Sequence, residues 1–326
     1  MAILDLKDVQ KSFRQGFVGK RKTVLRGVSL SLADGEVYGF LGHNGAGKST
    51  TIKLILGLLR PDAGEIRIFG ERGVTPSSRA RIGYLSEEIG LYPHLNAVEM
   101  LRLVGELFRL RGPVLERRMG ELLELVGLAE SGKLKIKHFS KGMRQRLGIA
   151  ASLMNDPDLL LLDEPYSGLD PLGRKQLRDL LLSLKTKGKT ILMSSHIVPD
   201  VEALCDRVGI LSGGVIARSL DLNEVYAHEL EGIEVTVTGV DADRLGTARF
   251  AAEKVLATEN VTILRCREAD RLESLIKEIY RSHGKVIEVR PRRLDLEHIF
   301  VQAISEPENG PASDERKQTD EMAFTR

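Results

Sequence analysis

The chain has 326 residues and a mass of 36.1 kDa, which is enough for about two domains with buried cores. Its 48 basic and 46 acidic side chains leave a formal charge of +2, so we expect no nucleic acid as a partner. Aromatic residues make up only 5%, which argues against a platform of stacked bases. The two cysteines stand singly, which excludes a disulfide framework and is typical of a reducing cytosol.

The sequence predicts neither a targeting segment nor a membrane span. Charged residues occur from the fifth position on, whereas a signal peptide needs an apolar core. The longest apolar runs, such as Leu159–Leu162, are far shorter than the about 20 residues of a spanning helix. A role at a membrane would therefore require another chain to supply the membrane part.

Residues 1 to about 218 alternate strand-like and helix-like segments, which predicts an α/β domain with a mainly parallel sheet. Alternating or continuous apolar runs predict strands at residues 3–9, 28–32, 36–41, 65–69, 159–162 and 190–194. Apolar residues at helical spacing predict helices at residues 48–59, 99–111, 115–126 and 141–155.

A smaller α+β domain is predicted for residues 219 to 304. Strand patterns at residues 233–238, 261–266 and 285–289 accompany amphipathic helix patterns at residues 271–281 and 294–304. This stretch carries no phosphate loop and no catalytic pattern. Residues 305 to 326 hold six acidic and three basic side chains and few large apolar ones, which predicts a disordered tail.

The strongest local signal is the segment Gly42–Thr50, which fits the pattern G-x-x-x-x-G-K-[ST]. Its glycines let backbone N–H groups close around phosphate oxygens, and the following helix presents its N-terminal dipole to the same anion. Lys48 can reach the β- and γ-phosphates, and Ser49 can offer an oxygen to Mg²⁺. A chance glycine-rich turn is the alternative, but a predicted strand precedes the loop and a predicted helix follows it. By itself the loop leaves open a GTPase, a kinase, a helicase or a transporter ATPase.

Two carboxylates, Asp163 and Glu164, follow the apolar strand at residues 159–162. A carboxylate at a strand end can hold Mg²⁺, and its neighbour can act as general base on an attacking water. An acidic turn after a core strand is the simpler interpretation of this pair alone. The phosphate loop in the same domain favours the catalytic interpretation.

Three further motifs occur in order along the chain. Phe139–Leu147 reads Phe-Ser-Lys-Gly-Met-Arg-Gln-Arg-Leu, Ser167–Pro171 reads Ser-Gly-Leu-Asp-Pro, and Met193–His196 closes another predicted strand. In this order and spacing, the five motifs resemble the ATP-binding cassette family, the ATPase subunits of ABC transporters. The resemblance covers residues 1 to about 218. It implies a P-loop NTPase cassette with a helical subdomain at about residues 88–157.

The resemblance also implies a role for each matched residue. The ATP-binding residues would be Phe13 under the adenine, Gly42, His43, Asn44, Gly45, Ala46, Gly47, Lys48, Ser49 and Thr50 around the phosphates, Glu87 in the lid loop, Ser140, Lys141, Gly142 and Met143 of the signature, and Asp170. The metal ligands would be Ser49, Glu87 and Asp163, and the catalytic residues would be Glu164 and His196. Phe17 is a rival for the adenine contact, and Phe13 could instead belong to the core.

The chain departs from the family pattern at two positions. The signature commonly reads Leu-Ser-Gly-Gly-Gln, whereas here Ser140 and Gly142 are kept and Lys141 adds a charge. The lid loop usually carries a Gln at the Mg²⁺, whereas here Glu87 takes that place. Both variants, and the segment Leu296–Phe300, resemble the exporter subgroup, which handles drugs, polysaccharides, lipids and gliding-motility systems.

The resemblance further implies that two copies of the chain sandwich two ATP molecules head to tail. A separate membrane-spanning permease would contact residues 87–96 and hold the chain at the cytoplasmic face of the membrane. A soluble cassette ATPase acting on ribosomes or DNA is one alternative, disfavoured by the single cassette and the near-neutral charge. A small-molecule kinase or GTPase is another, disfavoured because no NKxD motif occurs and the signature would be unexplained.

Overall fold

The computed structural model of the chain describes residues 2–15, 19–228, 230–240, 252–258, 261–266, 271–293 and 296–305. The predicted tail from residue 306 onward, and Phe17, lie outside the described residues. The chain divides into two compact units, residues 1–222 with the residues from 302 onward, and residues 223–301. Within the described part of the chain, no helix combines the length and apolar character needed to cross a membrane.

Strands and helices alternate along the first unit. In chain order the elements are β1 (Ala2–Gln15), β2 (Lys20–Ala33), β3 (Val37–Leu41), α1 (Lys48–Ile55), β4 (Ala63–Ile68), β5 (Glu71–Arg72), α2 (Pro76–Arg79), β6 (Ile82–Leu85), α3 (Ala97–Leu107), α4 (Gly112–Leu125), α5 (Lys141–Ser152), β7 (Leu159–Leu162), α6 (Pro171–Thr186), β8 (Thr190–Ser195), α7 (Val198–Glu202), β9 (Arg207–Ser212) and β10 (Val215–Asp221). The chain continues with α8 (Leu222–His228), of which all but the first residue belongs to the second unit, and with β11 (Leu230–Thr238), β12 (Ala252–Ala257), β13 (Thr262–Cys266), α9 (Leu272–Arg281) and β14 (Lys285–Arg293) of that unit. The last helix, α10 (Leu296–Ser305), includes the boundary between residues 301 and 302.

A six-stranded sheet forms the centre of the first unit, in the order β10-β9-β3-β8-β7-β6. All neighbours are parallel except the hairpin of β9 and β10. Every residue of β3, β7 and β8 is buried, which explains why their sequences carry no charged side chains and do not alternate between apolar and polar residues. The predicted α/β fold with a mainly parallel sheet is therefore confirmed.

A second, antiparallel sheet has the order β2-β1-β4-β5. Buried side chains of both sheets and of α1 form one hydrophobic cluster, which includes Leu4, Val28, Phe40, Ile52 and Leu161. β2 is longer than its predicted core at residues 28–32, because it continues back through the charged residues that follow Gly19. Helix α1 ends at Ile55, before the predicted end, and Gly57 then adopts a left-handed φ of 68°.

The second unit holds a four-stranded antiparallel sheet in the order β12-β13-β11-β14. Leu275 and Ile279 of α9 are fully buried in a cluster with Val235, Val237 and Leu264 of the sheet. The strand order and the placement of α9 between β13 and β14 are those of a split β-α-β arrangement of the ferredoxin-like kind.

Candidate functional site

The loops after β3, β6, β7 and β8 meet at the carboxyl edge of the parallel sheet, where ligands of open α/β sheets bind. A cavity of about 670 Å³ opens there. Of the predicted residues, its lining includes Phe13, His43, Asn44, Gly45, Ala46, Gly47, Lys48, Ser49, Thr50, Glu87, Glu164 and His196. Five segments that are far apart in sequence thus supply one site.

The phosphate loop curls between β3 and α1. Gly47 has a φ of 113°, and a Cβ there would lie 2.5 Å from the Leu25 side chain, so this position requires glycine. Helix α1 begins at Lys48, whose side chain is only 5% exposed. The Lys48 ammonium donates to the carbonyl oxygen of Gly42 at 2.7 Å and to that of His43 at 3.3 Å. The loop therefore presents a buried cation beside its glycine backbone.

Asp163 is held at the end of β7 by two hydroxyl groups. Ser194 Oγ donates to Asp163 Oδ1 at 2.7 Å, and Ser49 Oγ donates to the same oxygen at 3.1 Å. Ser194 Oγ also accepts a hydrogen bond from the backbone N–H of Glu164 at 2.8 Å. The two predicted metal ligands Ser49 and Asp163 are thus in direct contact.

Glu164 lies between the phosphate loop and the end of β8. Its Oε1 lies 3.1 Å from the Lys48 ammonium, and its Oε2 lies 2.9 Å from Nδ1 of His196. Its backbone has a φ of 48°, the left-handed region that a glutamate adopts at a cost. One carboxylate oxygen therefore forms an ion pair with Lys48 and the other contacts His196, and the group lies on the cavity wall, where it could accept a proton from a bound water.

Asp163 also affects its neighbour across the sheet. Tyr84 of β6 pairs in register with Leu161 of β7. Burial raises the pKa of Tyr84 to about 12, and the negative charge of Asp163 adds to the effect. The phenol therefore stays neutral, and the carboxylate lies in a poorly solvated part of the site.

Six predicted binding residues and the predicted metal ligand Asp163 do not line this cavity. Two of these seven, Gly42 and Asp163, nevertheless contact lining residues, because Lys48 donates to the Gly42 carbonyl and Ser49 donates to Asp163. Of the described residues that line it, none is Ser140, Lys141, Gly142, Met143 or Asp170. Ser140 caps α5, its Oγ accepting from the N–H of Met143 at 3.2 Å. Asp170 caps α6, its Oδ1 accepting from the N–H of Gly173 at 2.9 Å. Their predicted contact with a nucleotide of a second copy stays a prediction.

Phe13 is 36% exposed and lies on the cavity wall, so the alternative of a core position is wrong. The Lys11 ammonium lies 5.6 Å from the centre of its ring. The Lys11 ammonium donates to Asp62 at 2.9 Å, so the strand that carries Phe13 is anchored to the segment between α1 and β4.

Comparison with known proteins decides the family. The sequence profile of the family described as ABC transporter matches residues 25–167. An uncharacterized ABC transporter ATP-binding protein of Nostoc sp. is 46% identical over 231 residues, which cover 70% of this chain and 69% of that protein. The linearmycin resistance ATP-binding protein LnrL of Bacillus subtilis is 35% identical, covering 92% of this chain and 97% of that protein. The chain belongs to the ABC transporter ATP-binding proteins.

Two further proteins are similar to this ABC ATPase, one by sequence and one by its solved structure. The Nod factor export ATP-binding protein I of Ralstonia nicotianae is 33% identical, covering 92% of each chain. The solved structure of the ATP-binding cassette MJ0796, dimeric in a post-hydrolysis state with ADP and Pi, has a TM-score of 0.61 at 28% identity. It covers 67% of this chain and 98% of that cassette. The chain is the ATP-binding, ATP-hydrolysing subunit of an ABC transporter.

Part of the cavity wall lies outside the sequence motifs of this ABC ATPase. That part consists of Lys22, Thr23, Val24 and Arg26 of β2, and Gly213 and Gly214 between β9 and β10, while Ser167 lines the cavity from a motif that was not predicted to do so. Phe13 and Lys22 are cross-strand partners in the β1–β2 hairpin, so a longer predicted β2 would have identified these strand residues. Ser194 was part of a recognised motif, but its bonds to both carboxylate residues depend on β8 lying beside β7.

Proposed function

We propose that this ABC ATPase energises an exporter. The support is the similarity, over more than nine tenths of this chain, to proteins named for linearmycin resistance and for Nod factor export. The single observation that carries the catalytic part is the contact series Lys48–Glu164–His196 at the phosphate loop.

In the proposed reaction, Gly42 to Thr50 hold the ATP phosphates and Lys48 neutralises part of their charge. Glu164 accepts the proton of the water that attacks the γ-phosphorus, and ADP leaves with the oxygen of the broken bond. His196 fixes the Glu164 carboxylate and contacts the γ-phosphate. Phe13 stacks against the adenine.

The same site suits Mg²⁺. Ser49 and Asp163 offer a hydroxyl and a carboxylate oxygen around a shared hydrogen bond, and Glu87 on the cavity wall offers a second carboxylate. Hard oxygen donors are what Mg²⁺ prefers, and it commonly takes one or two carboxylates together with substrate phosphates. We propose these three residues as its protein ligands, with the ion neutralising phosphate charge when bound.

We propose that the chain works as a head-to-tail dimer, in which Ser140, Lys141, Gly142, Met143 and Asp170 meet the nucleotide of the second copy. That none of these five residues lines the cavity of its own chain supports this arrangement. ATP binding closes the dimer and hydrolysis reopens it, which drives a permease between two access states. The permease contacts residues 87–96 and holds the chain at the cytoplasmic face of the membrane.

The proposed domains follow one another along the chain. Residues 1–218 form the cassette, with a helical subdomain at about residues 88–157 that contains α3, α4 and α5. Residues 219–304 form an accessory domain, and residues 305–326 a tail. The similarity to LnrL extends over 309 residues, so it includes the accessory region as well as the cassette.

The test uses Glu164→Gln, which keeps the shape of the side chain and removes its basicity. We expect ATP to remain bound, turnover to fall by about 100-fold or more, and closed dimer to accumulate. Lys48→Ala serves as the binding control and should abolish tight ATP binding. Unchanged turnover in Glu164→Gln would contradict its role as base.

The transport part is tested by purifying Glu164→Gln protein with ATP from native membranes. A multi-spanning membrane protein that co-purifies, and whose loss blocks export of a compound from cells, is the expected outcome. Ribosomal or nucleic-acid partners, with nothing from the membrane, would keep the ATPase site and overturn the transport proposal.

A further inference from the structure

One half-buried ion pair, whose Arg174 side chain is 33% exposed, joins two segments that lead to the ATP site. Arg174, on the first turn of α6, places Nη1 3.3 Å from both carboxylate oxygens of Asp200. Its Nε donates to the carbonyl oxygen of Leu169 at 3.4 Å. The Asp200 side chain is only 11% exposed. One guanidinium therefore contacts the loop before α6 and the helix α7 at the same time.

The two segments each carry a residue of the proposed machinery. Leu169 lies in the loop of residues 167–170, which directly follows Glu164 and Tyr166 and whose Ser167 lines the cavity. Asp200 lies in α7, which begins two residues after His196. Val198 and Val201 of α7 are buried, so this short helix is packed in place. A displacement of the loop of residues 167–170 can therefore be transmitted through Arg174 to α7.

The surroundings of the Arg174–Asp200 ion pair are partly shielded from solvent. Burial raises the pKa of Asp200, and the charge of Arg174 opposes that rise. The Tyr166 hydroxyl beside it is buried and, within the described part of the chain, has no hydrogen-bond partner. Burial raises the pKa of this phenol too, and the Asp200 charge adds to the effect. Asp200 is the more buried partner, so removing Arg174 leaves a poorly solvated carboxylate uncompensated.

We propose that Arg174 and Asp200 are positioning residues that hold His196 against Glu164 and pass movements of the loop of residues 167–170 to it. The proposal rests on the proposed function, which assigns His196 to catalysis and this loop to the interface with a second copy. Neither Arg174 nor Asp200 lines the cavity proposed to bind ATP. Their effect is on the geometry of the His196–Glu164 contact, and through it on the chemical step.

The chain offers a matched control pair on the same helix. Lys185, near the end of α6, lies 2.6 Å from Asp206, with side chains 29% and 31% exposed. It also donates to the carbonyl oxygen of Leu204. Lys185 anchors α6 as Arg174 does, but it contacts neither the loop of residues 167–170 nor α7. Lys185→Gln therefore measures what a loss of helix anchoring alone does.

The experiment measures kcat and KM for ATP in the full chain carrying Arg174→Gln, Asp200→Asn, both together, or Lys185→Gln. We expect each of the first two to lower kcat by about tenfold or more, because a small misplacement of catalytic groups costs that much. KM should stay within about twofold, and Lys185→Gln should leave kcat within about twofold. The double variant should be no slower than the slower single one, because both changes remove one interaction.

A kcat of Arg174→Gln within about twofold of the unchanged chain overturns the proposal, as does a double variant whose loss is the product of the single losses. If Arg174→Gln does not fold, Arg174→Lys replaces it, because lysine keeps the charge but not the planar set of donors of the guanidinium. The kcat values of Arg174→Lys and Asp200→Asn are then judged by the same criteria. Failure of the proposed function is distinguishable, because His196→Ala would then leave kcat unchanged. If only the proposed role of Arg174 and Asp200 is wrong, His196→Ala lowers kcat and Arg174→Gln leaves it unchanged.

Discussion

Ser194→Ala tests how the two carboxylates at the end of β7 are held. The Ser194 hydroxyl is fully buried, donates to Asp163 at 2.7 Å and accepts from the Glu164 N–H at 2.8 Å. A hydrogen bond to a charged group contributes about 1.5–3 kcal/mol, and an N–H left unpaired in the interior costs about 1–3 kcal/mol. Because Asp163 keeps its bond from Ser49, we expect the free energy of unfolding to fall by about 3 kcal/mol.

The measurement is a urea titration followed by far-UV circular dichroism, since the chain has no Trp. Ser183→Ala is the control, because the Ser183 hydroxyl donates only to the Leu180 carbonyl of its own helix at 2.7 Å. That change should alter stability by less than about 0.5 kcal/mol. A loss below about 1 kcal/mol for Ser194→Ala would refute the argument that this hydroxyl holds both residues.

Other substitutions test single contacts of the site and the surface. In the absence of nucleotide, Glu164→Gln should lower the free energy of unfolding by about 2 kcal/mol, because Lys48 loses its carboxylate; a urea titration measures this. ATP should bind that variant more tightly, since the carboxylate no longer competes with phosphate for Lys48, and equal affinities by calorimetry would contradict this. His196→Ala should slow turnover by about 100-fold in a phosphate-release assay but change stability by less than about 1 kcal/mol, as the ring is 41% exposed. The pKa of Asp156 is lowered, mainly by a hydrogen bond from Lys189. The ionised Asp156 therefore stabilises the folded chain above about pH 4, and this contribution is lost as the pH falls further. Lys189→Gln should therefore flatten the pH dependence of thermal unfolding below pH 4, and an unchanged profile would count against this pair.

The parts of the fold that were predicted have a simple physical signature. Strands β3, β7 and β8 are buried along their whole length, so each has an uncharged, mostly apolar sequence whose polar residues at the carboxyl end lead into the site. The carboxyl ends of parallel strands share one edge. The predicted strands and motifs therefore place Lys48, Glu164 and His196 together.

Other elements were not predicted, for different reasons. Helix α6 was missed although Asp170 caps it, Pro171 opens it, and the buried leucines 177, 180, 181 and 184 recur at helical spacing. Strand β6 has only four residues and contains Gly83, so its sequence resembles a loop. β10 is largely half-buried or exposed at the sheet edge, and its apolar pattern is correspondingly weak.

The contacts of Ser194, and the Arg174–Asp200 pair, depend on which segments are neighbours in space. Residues 163 and 194 are 31 positions apart, and nothing local specifies that β8 lies beside β7. Motifs identify residues that act on a ligand, because the ligand constrains their type and spacing. They do not identify the residues that hold those groups in place, since many arrangements can do so.

The backbone at Glu164 has a consequence for engineering this protein. A φ of 48° suits glycine or asparagine better than glutamate, at a difference of about 1 kcal/mol or more. Glycine or asparagine at position 164 would relieve this backbone cost but would lose the ion pair with Lys48, which contributes about 2 kcal/mol. Libraries screened for heat resistance alone should therefore retain glutamate at this position, even when turnover is not scored.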